Sequence, residues 1–331
     1  MAVVNCGSSS VKLDVFALPS EDNPLQVAVE RVGKPGSRIT VTRTGDQKDA
    51  RDVDAPDVTR ALTIALDEMA AAGFASVDAV GHRVVHGGEK FTDSVRIDDN
   101  VIAAIQRCVP LAPLHNPANL SGIAAARWRL PDVPHVAVFD TAFHQTLAPE
   151  AYLYALPRAL HDDEGVRRYG FHGTSHRYVA QRAAAFFGRP IDTLRLVTLH
   201  LGNGCSACAV DAGKSVDTSM GMTPLEGLVM GTRSGDVDPA VVLRLARARG
   251  VDATEKLLNS ESGLLGLSKK SQDMRDLEKA AKDGDVDAEL AIKTFARRVK
   301  KYVGSFATVL GGLDAVVFTG GIGENSMRVR R

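Results

Sequence analysis

The sequence has no run of about 18 apolar residues and no leader in which charge gives way to an apolar stretch. The expectation is a chain that is neither exported nor held in a membrane, and therefore cytoplasmic. Its four cysteines show no disulfide-framework spacing, which suits a reducing compartment. Charge of neither sign is in excess, with Lys plus Arg and Asp plus Glu at 40 each. Nothing draws the whole chain to nucleic acid or to a membrane surface, so partners are to be sought at local sites.

Several apparent motifs also lack an essential residue. "GKS" at Gly213 to Ser215 suggests a phosphate loop, but Cys208 stands where that loop needs its first glycine, and a hairpin turn over Asp211 to Lys214 fits better. Asp283, Asp285 and Asp287 have the spacing of three calcium ligands. Ala288 and Thr294 then replace the required Gly and Glu, leaving a solvated helix start. Cys205 and Cys208 form one C-x-x-C pair within a strand-like run and have no second pair, so small core residues are the plainer reading than redox or zinc chemistry.

What is present is an α/β pattern. At 331 residues the chain exceeds the size at which one core stops growing, so two domains are expected. Strand-like runs occur at Val3 to Val4, Val11 to Phe16, Ala79 to Val85, His135 to Phe139, Leu196 to Leu201, Ser206 to Val210 and Ala315 to Thr319. Helical periodicity covers Asp57 to Ala72, Pro117 to Trp128, Tyr178 to Phe187, Pro239 to Arg249 and Ala288 to Leu310. In the last of these, Leu290, Phe295, Val299, Val303 and Phe306 make one apolar stripe.

Two stretches share a plan. "LHLGNGCSACAV" (Leu199 to Val210) and "VVNCGSSSVKLDVF" (Val3 to Phe16) each run from an apolar strand through a Gly-containing polar turn into a second strand. Setting Asn5 on His200 and Gly7 on Gly202 brings Ser8 to Ser10 opposite Asn203 to Cys205, as an internal duplication would. Such a turn is either a plain hairpin or a place where bare backbone approaches phosphate.

Other polar residues interrupt apolar runs. Arg83 in "GHRVVHGGEKF" is either an edge charge or a bidentate clamp for a carboxylate or phosphate. In "PLHNP", His115 and Asn116 precede a helix at Pro117, with Asn116 suited to its N-cap. Asp140 ends a strand, where open α/β sheets collect ligands; His172 sits in "GFHGTSH" and Arg233 in "GLVMGTRSGDVDP". Each alone reads equally as loop or site. Together, two arginines, three histidines, an acid and two Gly-rich turns have the parts that phosphoryl transfer between a nucleotide and a small anion requires, the acid binding or orienting magnesium.

With "NCGSSSVK", "GHRVVHGGE", "PLHNP", "FDTAFHQT", "YGFHGTSH", "HLGNGCS", "TPLEGLVMGTRSGDVDP" and "FTGGIGEN" in this order, the chain resembles the acetate kinase family, relatives of sugar kinases, actin and the heat-shock ATPases. The resemblance runs from Val3 to the end. It implies two duplicated ribonuclease H-like α/β domains, 1–146 and 147–331, with a nucleotide cleft between them that closes to exclude water. It also implies a homodimer and the reversible, direct, magnesium-dependent transfer of a phosphoryl group from ATP to acetate, giving acetyl phosphate and ADP.

By the same resemblance Ser8, Ser10 and Lys12 face the phosphates and Asn5 the magnesium ion. His200, Leu201, Gly202, Asn203 and Gly204 form the second phosphate turn, and Gly320, Gly321, Ile322, Gly323 and Asn325 the adenosine segment. Arg83 and Arg233 clamp the carboxylate and the phosphoryl group, His172 donates to the transition state, His115 lies near the same oxygens, and Asp140 orients Arg83 or assists the metal. Val85, Leu114, Phe171 and Pro224 line an apolar acyl pocket, with Val85 favouring acetate over propionate. Family members continue past the point matching Asn325, with a segment carrying a magnesium-associated glutamate. The expectation is a C-terminally shortened chain with weakened catalysis, its alternatives a propionate kinase or a nucleotide-binding remnant.

Overall fold

The computed structural model describes residues 1–45, 47–113 and 115–331. They form two compact units, Met1–Ala142 and Phe143–Arg331. The expected boundary between 146 and 147 lies slightly further along. The division comes earlier because the turn Ala142–Thr146 commits His144 to the second unit: its ring is buried, donating Nε2–H to the Phe171 carbonyl at 3.0 Å and meeting Ser215 Oγ at 2.8 Å through Nδ1.

The first unit is built on eight strands: β1 (Ala2–Cys6), β2 (Ser10–Ala17), β3 (Asp22–Glu30), β4 (Arg38–Arg43), β5 (Gln47–Asp52), β6 (Val80–Val84), β7 (Val95–Arg96) and β8 (His135–Phe139). They lie in the order β5-β4-β3-β2-β1-β6-β8-β7. β1 runs antiparallel to β2 and parallel to β6, which is parallel to β8. Alternate residues Ala2, Val4 and Cys6 of β1 are buried, as are Val11, Leu13 and Val15 of β2. Against them pack Leu62, Leu66 and Met69 of the helix Val58–Ala71, whose first turn is capped by Asp57 accepting from Arg60 N–H.

The β3–β5 extension has no counterpart among the sequence expectations. β5 exposes all of its residues, QKDARD, so it has no apolar alternation to read; its charges suit a sheet edge that must not recruit another strand.

The second unit has β9 (Arg195–Leu201), β10 (Cys205–Asp211), β11 (Lys214–Thr218) and β12 (Ala315–Thr319), ordered β11-β10-β9-β12. Its central strand β9 is antiparallel to β10 and parallel to β12, repeating the relations of β1 to β2 and β6. The duplication read from the sequence is therefore a duplication of topology. Its residue-by-residue alignment needs correction. Cys6 pairs with Val11, but Leu201 pairs with Cys205, so the second turn is one residue shorter and Cys205 is the structural counterpart of Val11, not of Ser10. Each turn is nonetheless closed the same way, Gly7 N–H donating to Ser10 O at 2.8 Å and Gly202 N–H to Gly204 O at 3.0 Å.

The helices Gly173–Phe187 and Val286–Val309 cover this sheet. The apolar stripe of the latter is corrected in one position: Phe295, Val299 and Phe306 are buried with Ala288, Ala291 and Ile292, whereas Leu290 is exposed. Asp285 caps that helix, accepting from Ala288 N–H at 2.9 Å, as expected of a solvated helix start. The Asp211–Lys214 hairpin is also present, with Ala212 and Gly213 both at positive φ. Cys205 and Cys208 are three positions apart on β10 and so point to opposite faces, a geometry that cannot chelate. Among the described residues no helix is long and apolar enough to cross a membrane.

Candidate active site

In the first unit the predicted residues gather where β1, β6 and β8 end. The register that pairs Val4 with His82 sets Asn5 level with Arg83, and Asp140 follows β8 directly, its N–H on Val84 O at 3.0 Å. Arg83 donates from Nε to Asp140 Oδ1 at 2.9 Å and from Nη2 to Oδ2 at 2.6 Å, and from Nη1 to Asn5 Oδ1 at 3.3 Å. The Asp140 charge raises the Arg83 pKa further, keeping the guanidinium charged. Asn5 pairs across the sheet with Lys12, so both project on one face of the first turn, near exposed Ser8 and half-buried Ser10.

Asn116 corrects an expectation. The helix runs Asn116–Arg129, and His115 occupies the cap position without a side-chain cap bond. Asn116 is instead buried, accepting from His86 N–H at 3.1 Å and donating to His86 O at 3.0 Å. Asn119 accepts from Val85 N–H at 3.0 Å and donates to Cys6 O at 2.7 Å. Two asparagines from one helix thus tie the Val85–His86 backbone to the end of β1. The sequence offered no sign of Asn119, because a single polar residue inside a helical period reads as surface. Gly87 is forced by packing: a Cβ there would lie 2.7 Å from the Phe139 ring.

In the second unit His172 stands at the N-terminus of the helix Gly173–Phe187 with φ at +57°, a left-handed conformation that costs a non-glycine residue about 1 kcal/mol or more. Its Nδ1 meets Ser206 Oγ at 2.9 Å, and its ring lies 4.2 Å from that of His200, whose Nδ1 meets Ser175 Oγ at 2.8 Å. A Cβ on Gly204 would come within 3.4 Å of His172 Nε2 and 3.7 Å of Arg233 Nη1. Gly204, His172 and Arg233 therefore border one small volume beside the second turn. Arg233 Nη1 also donates to Pro224 O at 3.0 Å.

The loop carrying Pro224 and Arg233 is held from below. Glu226 accepts from Arg168 Nη2 and from the Tyr154 hydroxyl, each at 2.6 Å, while Arg168 Nη1 donates to the carbonyls of Thr218, Ser219 and Met220. Asn203 joins the loop through its carbonyl, which accepts from Gly231 N–H at 2.9 Å. Of the expected acyl-pocket residues, Val85 is buried in the first unit; Phe171 is buried and Pro224 half-buried in the second. Leu114 lies outside the described residues.

A cavity of about 580 Å³ opens beside the second turn, the size class of small-molecule sites. Gly202, Asn203, Gly321, Ile322 and Asn325, all expected at the nucleotide, line it. Leu201, Gly320 and Gly323 lie behind that wall: a Cβ on Gly320 would stand 2.7 Å from Leu201 O, and one on Gly323 3.6 Å from the Leu201 Cβ. The opposite wall, Gln272, Asp273, Met274, Arg275 and Glu278, has no place in the sequence reading. Asp273 caps the helix Met274–Lys282 and pairs with Arg275, so "QDMRDLE" reads as an ordinary helix start.

The acetokinase family model matches residues 1–331. The acetate kinase of Geobacillus kaustophilus is 52% identical over 334 residues, spanning 99% of this chain and 84% of the relative. The crystal structure of Porphyromonas gingivalis acetate kinase superposes with a TM-score of 0.93 at 48% identity, over 99% of this chain and 84% of that one. A propionate kinase from Francisella tularensis gives a TM-score of 0.94 at 41% identity, over 99% and 85%. A duplicated α/β fold, two Gly turns of common plan and full-length agreement with these proteins lead to one conclusion: the chain belongs to the acetokinase family.

Proposed function

We propose that the chain is an acetate kinase, passing the γ-phosphoryl group of ATP directly and reversibly to acetate to give acetyl phosphate and ADP. Membership of the acetokinase family along the whole chain carries this reading. The transferring group has its charge spread over three equatorial oxygens, so the protein's task is to position and to neutralise. Arg83, aimed by Asp140, and Arg233, tethered at Pro224, supply fixed cations for the carboxylate and the phosphoryl oxygens. His172 supplies a hydrogen-bond donor beside Gly204. Each well-placed donor of this kind lowers the barrier by roughly 3 kcal/mol.

Ser8, Ser10, Lys12, His200, Asn203 and Gly204 hold the phosphates, and the cavity between Gly321–Ile322 and Asp273–Arg275 takes the nucleoside. Val85 of the first unit and Phe171 and Pro224 of the second are the apolar residues offered to the acyl methyl, with His115 offered to the carboxylate.

Magnesium fits the donor chemistry in a restricted way. Both Asp140 oxygens are engaged by Arg83, and among the described residues no group of three or more His, Cys, Asp or Glu side chains forms a metal cage. Asn5 Oδ1, a hard oxygen with a second lone pair, would hold the ion together with phosphate oxygens and water, as suits a cation reluctant to dehydrate. When bound, magnesium neutralises phosphate charge. A homodimer belongs to this reading, supported by the helix Pro239–Arg249, which buries none of its residues and exposes Val241 and Leu243. So does a cytoplasmic location, supported by four free cysteines.

The test is acyl phosphate formation by the purified chain with ATP, magnesium and acetate or propionate, the product trapped with hydroxylamine. Product above the enzyme-free blank, greater with acetate, is expected. Greater product with propionate would favour the second acceptor, in keeping with the shared fold of a propionate kinase. No product from a folded chain that still binds ATP would overturn the reading.

A further inference from the structure

Behind His172 lies a chain of buried polar side chains to which the function above gives no part. Thr198 Oγ1 meets His176 Nδ1 at 2.8 Å, His176 Nε2 meets Ser206 Oγ at 2.7 Å, and Ser206 Oγ meets His172 Nδ1 at 2.9 Å. Thr198, His176 and Ser206 are each fully buried. A series of hydrogen bonds through two imidazoles and two hydroxyls can run in either of two directions, and the direction fixes which nitrogen of His172 carries hydrogen.

One end of the series decides between them. The Thr198 hydroxyl sits in the middle of the second sheet, and among the described residues the side-chain partner it meets there is His176 Nδ1. A buried hydroxyl hydrogen without an acceptor is costly, whereas an unfilled lone pair is less so; Thr198 therefore donates. His176 is neutral, its pKa held well below 6.5 by burial and by the neighbouring His144 and His200. With Nδ1 accepting, its one hydrogen is on Nε2 and goes to Ser206 Oγ. Ser206 must then donate its own hydrogen to His172 Nδ1. In neutral His172 the ring hydrogen is left on Nε2, the atom beside Gly204.

We infer that Thr198, His176 and Ser206 are positioning residues that hold His172 as the Nε2–H tautomer, presenting a donor rather than a bare nitrogen to the group beside Gly204. This rests on the reading of His172 as a transition-state donor. It adds what makes His172 a donor: with the opposite polarity the same ring in the same place would present a lone pair to phosphoryl oxygens and repel them. The cost of the buried polar chain and of the left-handed His172 backbone is then explained by one requirement, a fixed direction of hydrogen bonding.

The experiment is nitrogen-15 NMR of the histidine side chains in the full chain, with His172 assigned through His172→Gln. The expected spectrum has His172 Nε2 protonated and Nδ1 bare. Ser206→Ala should populate the Nδ1–H tautomer and lower kcat by about 10- to 100-fold, the range found when the partner that orients a functional imidazole is lost, with KM for both substrates within about twofold. Thr198→Val, a nearly isosteric change three hydrogen bonds away from His172, should shift the tautomer in the same direction, and Thr198→Ser should restore it. That pair keeps the test decisive if Ser206→Ala fails to fold. A wild-type His172 protonated on Nδ1, or a tautomer unmoved by Thr198→Val, overturns the inference. A tautomer that shifts while kcat does not upholds the relay and removes His172 from the transfer step; wild-type turnover in His172→Gln likewise counts against the functional reading and not against the relay.

Discussion

Arg83 and Asp140 meet edge to edge, Nε on Oδ1 and Nη2 on Oδ2, so that the plane of the guanidinium is set by a carboxylate that is itself almost wholly buried. Only the Nη1 side remains, and it faces Asn5. A lysine could repeat the charge but not the plane. Asp140→Asn places an amide N–H₂ against one of the two guanidinium nitrogens and turns Arg83 out of line. We expect kcat to fall by about 100- to 1,000-fold, close to the effect of Arg83→Lys, because either change forfeits one aligned donor. Hydroxamate assays on both variants, with circular dichroism as the control for folding, test this.

On the proposed reading, Arg83→Ala and Arg233→Ala each remove a fixed cation from the transferring group. The expectation is a loss of at least about 100-fold in kcat with little change in melting temperature. Near wild-type turnover in both would show that neither arginine faces the reaction.

Gly231 offers a separable test of the nucleotide side. A methyl group there would lie 2.1 Å from Asn203 Oδ1, the free end of a side chain that can swing away. Gly231→Ala should therefore fold normally yet raise KM for ATP by about 10-fold, the equivalent of one lost hydrogen bond to a charged group, while KM for acetate stays put. Steady-state kinetics with each substrate varied in turn distinguish the two.

Val85 should govern acyl length. Replacing it with alanine frees room for one methylene, which changes discrimination by about 1 to 3 kcal/mol. The ratio of kcat/KM for propionate to that for acetate should rise by roughly 10-fold. An unchanged ratio would place the acyl group elsewhere.

The first unit should weaken in mild acid. His135 Nε2–H donates to Leu130 O, so its Nδ1 accepts from His82 Nε2–H, and both rings are neutral. Burial, then the neighbouring His135, lowers the His82 pKa from 6.5 to about 3. Below pH 6.5 the unfolded chain takes up a proton at His82 that the folded chain refuses, down to about pH 3, so stability falls with pH across that window. The slope is about 1.4 kcal/mol per pH unit for one proton. Urea midpoints at about pH 7 and pH 5 should differ less in His82→Gln, which keeps an N–H for His135 but does not titrate.

The parts of this molecule that were legible in the sequence are those where one physical demand acts alone. Strands β1, β2, β6, β8, β9 and β10 bury apolar residues and were readable as apolar runs, as was β12, whose residues are half-buried. Strand β5 buries nothing, β11 is broken by Asp217, and β3 carries Pro24, so none declared itself. The arginines, the acid and the two Gly turns stood out because they violate a local pattern. Asn119, Arg168 and Glu226 did not, since their partners are remote in sequence: Asn119 bonds to Cys6, and Arg168 to Glu226. The wall Gln272–Glu278 was hidden for the opposite reason, its residues satisfying every rule for an exposed helix start.

The left-handed backbone at His172 has one more consequence. Glycine would take that conformation without strain, but it would leave the buried Ser206 hydroxyl without its imidazole partner. Relief at the backbone is set against loss at the side chain, so drift filtered only for durability has little to gain by moving this codon. In a lineage that no longer used the reaction, the histidine at position 172 would be held by its neighbours after its chemistry had lapsed.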